Sequence, residues 1–324
     1  MARNYILPKE GNFYKANLHC HSTCSDGKFT PEHLKEIYKE RGYSIIAYSD
    51  HNTVIPHNDL RDEEFLPITA AEYNFDDELC PERPTWGTMK TYHINFYSKD
   101  PDRTDFIEID RKYSVENIQK IINDANEAGF LVQYNHPRWS YQTVNDFIDL
   151  EGLFAFEVLN YGCETEMHNG WAEYEYDCYC RNGKRATAVA TDDNHSFAED
   201  IHGPYNDCFG GWTMIKAPAL AYDAVMGALE RKECYATNGP TIEEFYIDSY
   251  EDKDVLHIKC SPVMSLLVLT DSRLVSLKRD LSDTVTDHVV EFPKGYKFYR
   301  IECMQKDGKK ALSRAVFADE LDRS

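Results

Sequence analysis

The stretch ANLHCHSTCSDGK, residues 16–28, places His19 and His21 one residue apart and sets Asp26 five residues further on. In an extended strand, residues two apart share a face, so Asn17, His19 and His21 point one way while Ala16, Leu18 and Cys20 point the other. Two imidazoles on one face can meet one metal ion, although an isolated His-x-His pair serves equally well as two half-buried hydrogen-bonding residues. Further along, YSIIAYS leads into Asp50 and His51, LPITAAE ends in Glu72, FLVQYN runs into His136, and ATAVAT runs into Asp192, Asp193 and His195. His93 lies inside TYHINFY, slightly earlier in its strand. Five of seven candidate strands thus finish in a His, Asp or Glu, at the end where parallel barrels build their active sites. Six histidines and three carboxylates become candidates for one nitrogen and oxygen cluster, a donor set that suits Zn, Mn or Fe. A carboxylate such as Glu72 can bridge two ions. Bridged ions polarise water to hydroxide near neutral pH and clamp the attacking and leaving oxygens.

The elements that must hold these residues alternate in the order of parallel βα units from about residue 15 to about residue 215. Thr30 caps a helix with Pro31 at its first position and Gly42 as its stop. Ser114 caps another, in which Val115, Ile118, Ile121, Ile122 and Ala125 recur at helical spacing before Gly129. A third pattern is PALAYDAVMGALERKE. Beyond ATNGP the texture changes to strands without long helices: IEEFYIDS, VLHIKCS, SLLVLT, HVVEF, KFYRIEC and LSRAVF. Several alternate with period two, as an antiparallel sheet with one solvated face does. The boundary falls near Thr237, giving a larger α/β domain at 1–237 and a small C-terminal β-rich, sandwich-like domain at 238–324.

The 324 residues carry a formal charge of −21 and are 42% hydrophobic. An acidic chain argues against a groove tracking a nucleic-acid polymer, which relies on clustered Lys and Arg. A small anionic substrate is compatible only if bound cations reverse the local field. No signal-like start and no apolar run near the roughly 20 residues of a membrane span is apparent, so a cytoplasmic protein without membrane partners is expected. The ten cysteines are scattered and read as small core residues; neither Cys178 and Cys180 nor Cys20 and Cys24 have zinc-ribbon spacing.

The succession His-x-His, Ser-Asp-Gly, Ser-Asp-His, a glutamate, His-Pro and Asp-x-His resembles the PHP superfamily, named for polymerase and histidinol phosphatase. The resemblance spans about the first 200 residues and implies an α/β fold, a distorted (β/α)7 TIM-like barrel, with two or three divalent transition metal ions. It implies that His19, His21, Glu72 and Asp193 hold one ion, that Glu72, His93 and His136 hold a second, and that Asp26, His51 and His195 hold a third. Asp26 stands where the family has a histidine, and TDDNH offers Asp192 beside Asp193; the family spacing selects Asp193 and leaves Asp192 as its neighbouring support. The sequence CYATNGP and the β-rich tail are similar to the subgroup containing a carbaryl (carbamate) hydrolase.

Hydrolysis of a phosphoester by a metal-bridging hydroxide is the leading expectation, because no G-x-S-x-G elbow or P-loop offers a protein nucleophile. Asp50 is placed to orient a ligand histidine or handle a proton. Arg138, just past His-Pro, is placed to pair with a phosphoryl oxygen or, equally, to form a surface salt bridge. Glu157 is a candidate acid or extra ligand, and Asn160 a candidate substrate contact. The long connection 74–90 is a candidate lid, and 160–183 a helix whose aromatic residues pack on the barrel. His33, His57, His257 and His288 read as surface or packing residues. Carbamate, amide or ester hydrolysis is the alternative, and a non-catalytic metal-binding scaffold is the rival class. Against that rival, no ligand position is missing.

Overall fold

The structure is a computed structural model that describes residues 1–77, 90–196, 201–273 and 275–323. In chain order its elements are β1 (Ala2–Tyr5), β2 (Asn12–Cys20), α1 (Pro31–Lys39), β3 (Ile45–Tyr48), β4 (Leu66–Asp76), β5 (Thr91–Ser98), α2 (Val115–Glu127), β6 (Phe130–Tyr134), α3 (Val144–Phe147), β7 (Ala155–Asn160), α4 (Tyr161–Met167), α5 (Glu173–Arg181), β8 (Thr187–Thr191), β9 (Trp212–Ala217), α6 (Tyr222–Glu230) and β10 (Cys234–Thr237). The remainder is all strand: β11 (Ile242–Ser249), β12 (Lys253–Val263), β13 (Ser265–Thr270), β14 (Ser276–Arg279), β15 (Val285–Pro293), β16 (Phe298–Met304), β17 (Lys310–Ser313) and β18 (Val316–Phe317).

Local chemistry accounts for the first two helices. Thr30 accepts from the His33 amide and Pro31 opens α1, which buries Leu34, Ile37 and Tyr38. Ser114 accepts from the Asn117 amide, and α2 buries Ile118, Ile121, Ile122 and Ala125. Gly42 and Gly129 follow with φ of 77° and 88°, a conformation that costs glycine little and other residues more. The third expected helix begins later than its sequence pattern, at Tyr222, with residues 218–221 bending the chain between β9 and the helix.

A large mixed sheet has the order β14-β13-β16-β17-β10-β9-β2-β3-β4-β5-β6-β7-β8, with β18 beside β16. The expectation of uniformly parallel units needs correction. β2, β3 and β4 are parallel and so are β6, β7 and β8, but β5 runs antiparallel to both β4 and β6. Asp76 pairs directly with Thr91, so the chain returns beside itself and needs no crossover helix. Strand pairing does not close this sheet into a barrel among the described residues. Its two parallel blocks nevertheless meet at one end, where the Asp193 amide donates to the His19 carbonyl at 2.9 Å and the His21 amide to the Asn194 carbonyl at 3.1 Å.

The second sheet, β1-β11-β12-β15, contains the N-terminal strand, paired along its length with β11. Residues 2–5 therefore pair with a strand from beyond residue 237, as an exposed sheet edge can be satisfied by an extended segment that reaches it. Ile247, Leu256, Leu266, Val268, Ile301 and Cys303 form an apolar core between this sheet and β13 and β16. Among the described residues no helix is long and apolar enough to cross a membrane.

Candidate metal centre

β2 has two buried sides. Ala16 and Leu18 join an apolar core, while Asn17 and His19 are fully buried among polar groups and His21 is 1% exposed. Glu72 lies within β4, whose strand runs on to Asp76 rather than ending at the glutamate. His93 is the third residue of β5. Since β5 is reversed, its beginning lies at the end of the sheet where the parallel strands finish, which brings His93 to the same place as His136, just past β6. Asp193 and His195 follow β8, and Asp193 adopts φ of 53°, a left-handed backbone that is uncommon for a non-glycine residue and clusters at functional sites.

All nine residues expected as ligands come together here. His19, His21, Glu72 and Asp193 each offer an atom within 4.8 Å of the others; so do Glu72, His93 and His136, and so do His21, Asp26, His51 and His195. Asp193 Oδ1 stands 3.0 Å from both His19 Nε2 and His21 Nε2. Glu72 reaches His19 and His21 at 3.2 and 3.3 Å, and His51 and His93 at 3.3 and 3.1 Å. Asp26 lies farther out, 3.6–3.7 Å from His21, His51 and His195, with half of its side chain exposed. Gly27 is required beside it: a Cβ there would come within 2.5 Å of the His21 carbonyl oxygen.

Several of the converging atoms are buried yet make no hydrogen bond: His19 Nε2, both His21 ring nitrogens, His51 Nδ1 and Asp193 Oδ1. Buried polar atoms are almost always paired, so this concentration of unpaired lone-pair donors suits a cation. Nitrogen and oxygen without sulfur is the donor set of Zn, Mn or Fe. The electrostatics agree. Burial opposes ionisation of Glu72 and Asp193, but the surrounding histidines hold both carboxyls well below their usual range. Burial likewise works against charge on His19 and His21; facing carboxylates hold His19 well above its ordinary value and push His21 up to about 9. Burial takes His51 down to about 4, with the neighbouring His21 and His93 adding to the effect against Glu72. His195 is lowered for the same first reason.

Around these groups the supporting contacts reassign several expected roles. Glu157 is fully buried at the base and is used up by neighbours: Oε1 meets His19 Nδ1 at 3.0 Å and Thr191 Oγ1 at 2.5 Å, and Oε2 accepts from the His136 amide at 2.8 Å and Asn160 Nδ2 at 3.0 Å. Its contact with Nδ1 aims His19 Nε2 into the cluster, and with His19 and His136 it also forms a group whose ligand atoms lie within 4.8 Å of one another, the extra-ligand position. Asn160 holds Asp193 Oδ2 at 3.0 Å; it is fully buried and is not among the described residues lining the cleft. Asp50 accepts from the Ser22 amide, Ser22 Oγ and Ser25 Oγ at 2.7–2.8 Å, so it fixes the turn carrying Asp26 and does not orient His51. Arg138 pairs with Glu175 at 2.9 Å and does not line the cavity, the salt-bridge reading rather than the phosphoryl one. Asp192 faces away from the cluster, accepting from the amides of Phe209, Gly210 and Gly211 and from the Tyr38 hydroxyl; burial pushes its carboxyl up to about 7.

Sequence reasoning missed other supports. Asn135 donates to Glu72 at 2.8 Å, and Asp207 accepts from the amides of His195 and Ser196. Trp139 packs 5.1–5.4 Å from the His136 and His93 rings and donates to Glu166. Asn135 directly precedes His136, a usable signal; Asp207 and Trp139 carried none. The cluster floors a cleft of about 1160 Å³ that is also lined by Trp139, Glu166, Tyr205 and Asp207, with neither Lys nor Arg among its described lining residues. The expected lid, 74–90, lies outside the described residues from 78 to 89.

No family model and no curated protein matches the sequence. The structure is similar to a two-domain protein from Bacteroides vulgatus containing a predicted PHP-like metal-dependent phosphoesterase, with a TM-score of 0.47, 15% identity and coverage of 97% of this chain and 98% of that one. It is also similar to a protein from Bifidobacterium adolescentis described as a candidate metal-dependent phosphoesterase, with a TM-score of 0.38, 15% identity and coverage of 57% of this chain and 89% of that one.

Proposed function

We propose that the chain is a metal-dependent hydrolase with a two- or three-ion centre, acting on a small phosphorylated substrate. The observation that carries this reading is the convergence of unpaired, buried His19 Nε2, His21 Nε2 and Asp193 Oδ1 on one point at the floor of the cleft. The choice of a phosphoester rests on the motif resemblance. The curled sheet is read as an incomplete barrel, and the C-terminal strands as a second domain.

His19, His21, Glu72 and Asp193 would hold the innermost ion, Glu72, His93 and His136 a second, and Asp26, His51 and His195 a third. Divalent ions so held would supply Lewis acidity, acidifying a water for attack and receiving negative charge from the attacked group. The chain's own contribution is positioning. Glu157 locks the His19 ring, Asn160 and Asn135 hold Asp193 and Glu72 in one orientation, and the Asp50 network holds the turn that carries Asp26. With no cationic side chain among the described lining, an anionic substrate would depend on the ions for binding as well as for chemistry. That same lining favours a second reading, hydrolysis of a neutral carbamate or ester. Assaying a phosphomonoester, a phosphodiester and an aryl carbamate with metal-reconstituted protein separates the two: turnover of the carbamate alone would overturn the phosphoesterase reading.

A further inference from the structure

A second group of potential ligands lies beside the cluster and is not absorbed by it. Cys24, Asp50 and His57 each place a ligand atom within 4.8 Å of the others, with Cys24 exposed, Asp50 buried and His57 half-buried. His57 Nε2 is buried and makes no hydrogen bond, and its ring is held against Tyr48 at 4.7 Å between centroids. The Cys24 amide donates to Ser22 Oγ at 3.1 Å, and that hydroxyl donates to Asp50 at 2.8 Å, so the backbone carrying the thiol is held beside the carboxylate. Sequence spacing alone hides the group, because its members come from the turn after β2, the end of β3 and the loop that follows.

We infer that Cys24, Asp50 and His57 form a separate site for a thiophilic divalent cation such as Zn²⁺, whose occupation slows the neighbouring centre. Thiolate, imidazole and carboxylate are all zinc ligands, and three protein ligands with an exposed thiol leave the fourth tetrahedral position to water. The nine-residue cluster contains no sulfur, so the two sites differ in softness. The coupling runs through Asp50. Its carboxylate restrains Ser22 and Ser25, next to His21 and Asp26, and a cation drawing on that carboxylate weakens its hold on the turn. The site itself stands independently of the hydrolase reading; only the slowing rests on it.

Titration of the full chain with Co²⁺ tests the site, because thiolate-to-cobalt charge transfer gives a near-ultraviolet band that nitrogen and oxygen ligands do not. The wild-type protein should develop a saturable band that Zn²⁺ displaces, lost in Cys24→Ser and weakened in His57→Gln. Absence of the band, or its persistence in Cys24→Ser, overturns the site. Added Zn²⁺ should then slow hydrolysis in the wild type and not in Cys24→Ser, whose basal activity should be unchanged. Equal response of the two proteins to zinc overturns the coupling while leaving the spectroscopic result to stand or fall separately.

Discussion

Asp193 and Asp254 are both buried carboxylates, and their surroundings could hardly differ more. Asp254, in the C-terminal strands, is 1% exposed and accepts from Ser249 Oγ at 2.8 Å, from the Tyr299 hydroxyl at 3.1 Å and from Lys294. Arg300 nearby in sequence to Tyr299 is likewise matched, by Asp177 and Glu302. Asp193 has one oxygen satisfied by Asn160 and the other facing two imidazoles without a hydrogen bond. Burying charge is costly unless it is paired. The C-terminal region meets that cost internally, whereas the centre on the large sheet leaves its valence open. A closed polar network stabilises a fold; an open one is a place for a ligand.

Substitutions can break this contrast from either side. The largest effect is expected from His19→Ala or Asp193→Ala, which should reduce both metal content and hydrolysis to background, read by elemental analysis and turnover. Glu157→Gln should follow, with a loss of about 10–100-fold in metal affinity or activity, the usual scale for a group that orients a ligand histidine. Wild-type affinity in that variant would remove Glu157 from the positioning role.

Asp254→Ala should instead act on stability, by about 1–3 kcal/mol for the buried donors it strands, measured by denaturant unfolding, with metal content unchanged. The histidines supply a pH signature. His21 is raised from 6.5 to about 9, so in metal-free protein its stabilising contribution is complete below about pH 6.5 and lost as the pH rises through about 9. Metal binding requires the neutral ring and should tighten over that same interval, releasing protons that a weakly buffered titration can count. The smallest effect belongs to Arg138→Ala: its partly exposed pair with Glu175 should be worth under about 1 kcal/mol, with kcat/KM unaltered.

Much of this centre was visible in the sequence because its residues follow apolar strand cores, where position along the strand already implies position in space. His19, His21, Glu72, His136 and Asp193 are of this kind. His93 was harder to place, since nothing in TYHINFY reveals that β5 is reversed; only its pairing from Asp76 to Thr91 does. The roles of Glu157, Asn160 and Asp50 were hidden for a different reason. A carboxylate or amide at a strand end has the same local signature whether its oxygens face a cleft or are consumed by neighbouring backbone and side-chain donors from distant segments. The attachment of β1 to β11 was invisible as well, because four residues carry too little pattern to name a partner.

The most direct test is elemental analysis of the wild-type chain after reconstitution with Mn²⁺ or Fe²⁺, coupled to phosphomonoester hydrolysis before and after chelation. About two to three bound equivalents, with turnover abolished by the chelator and restored by the ion, is the expected result for a multinuclear hydrolase. Less than about one equivalent together with no turnover of a phosphoester or a carbamate would contradict it, leaving the cluster without the role assigned to it.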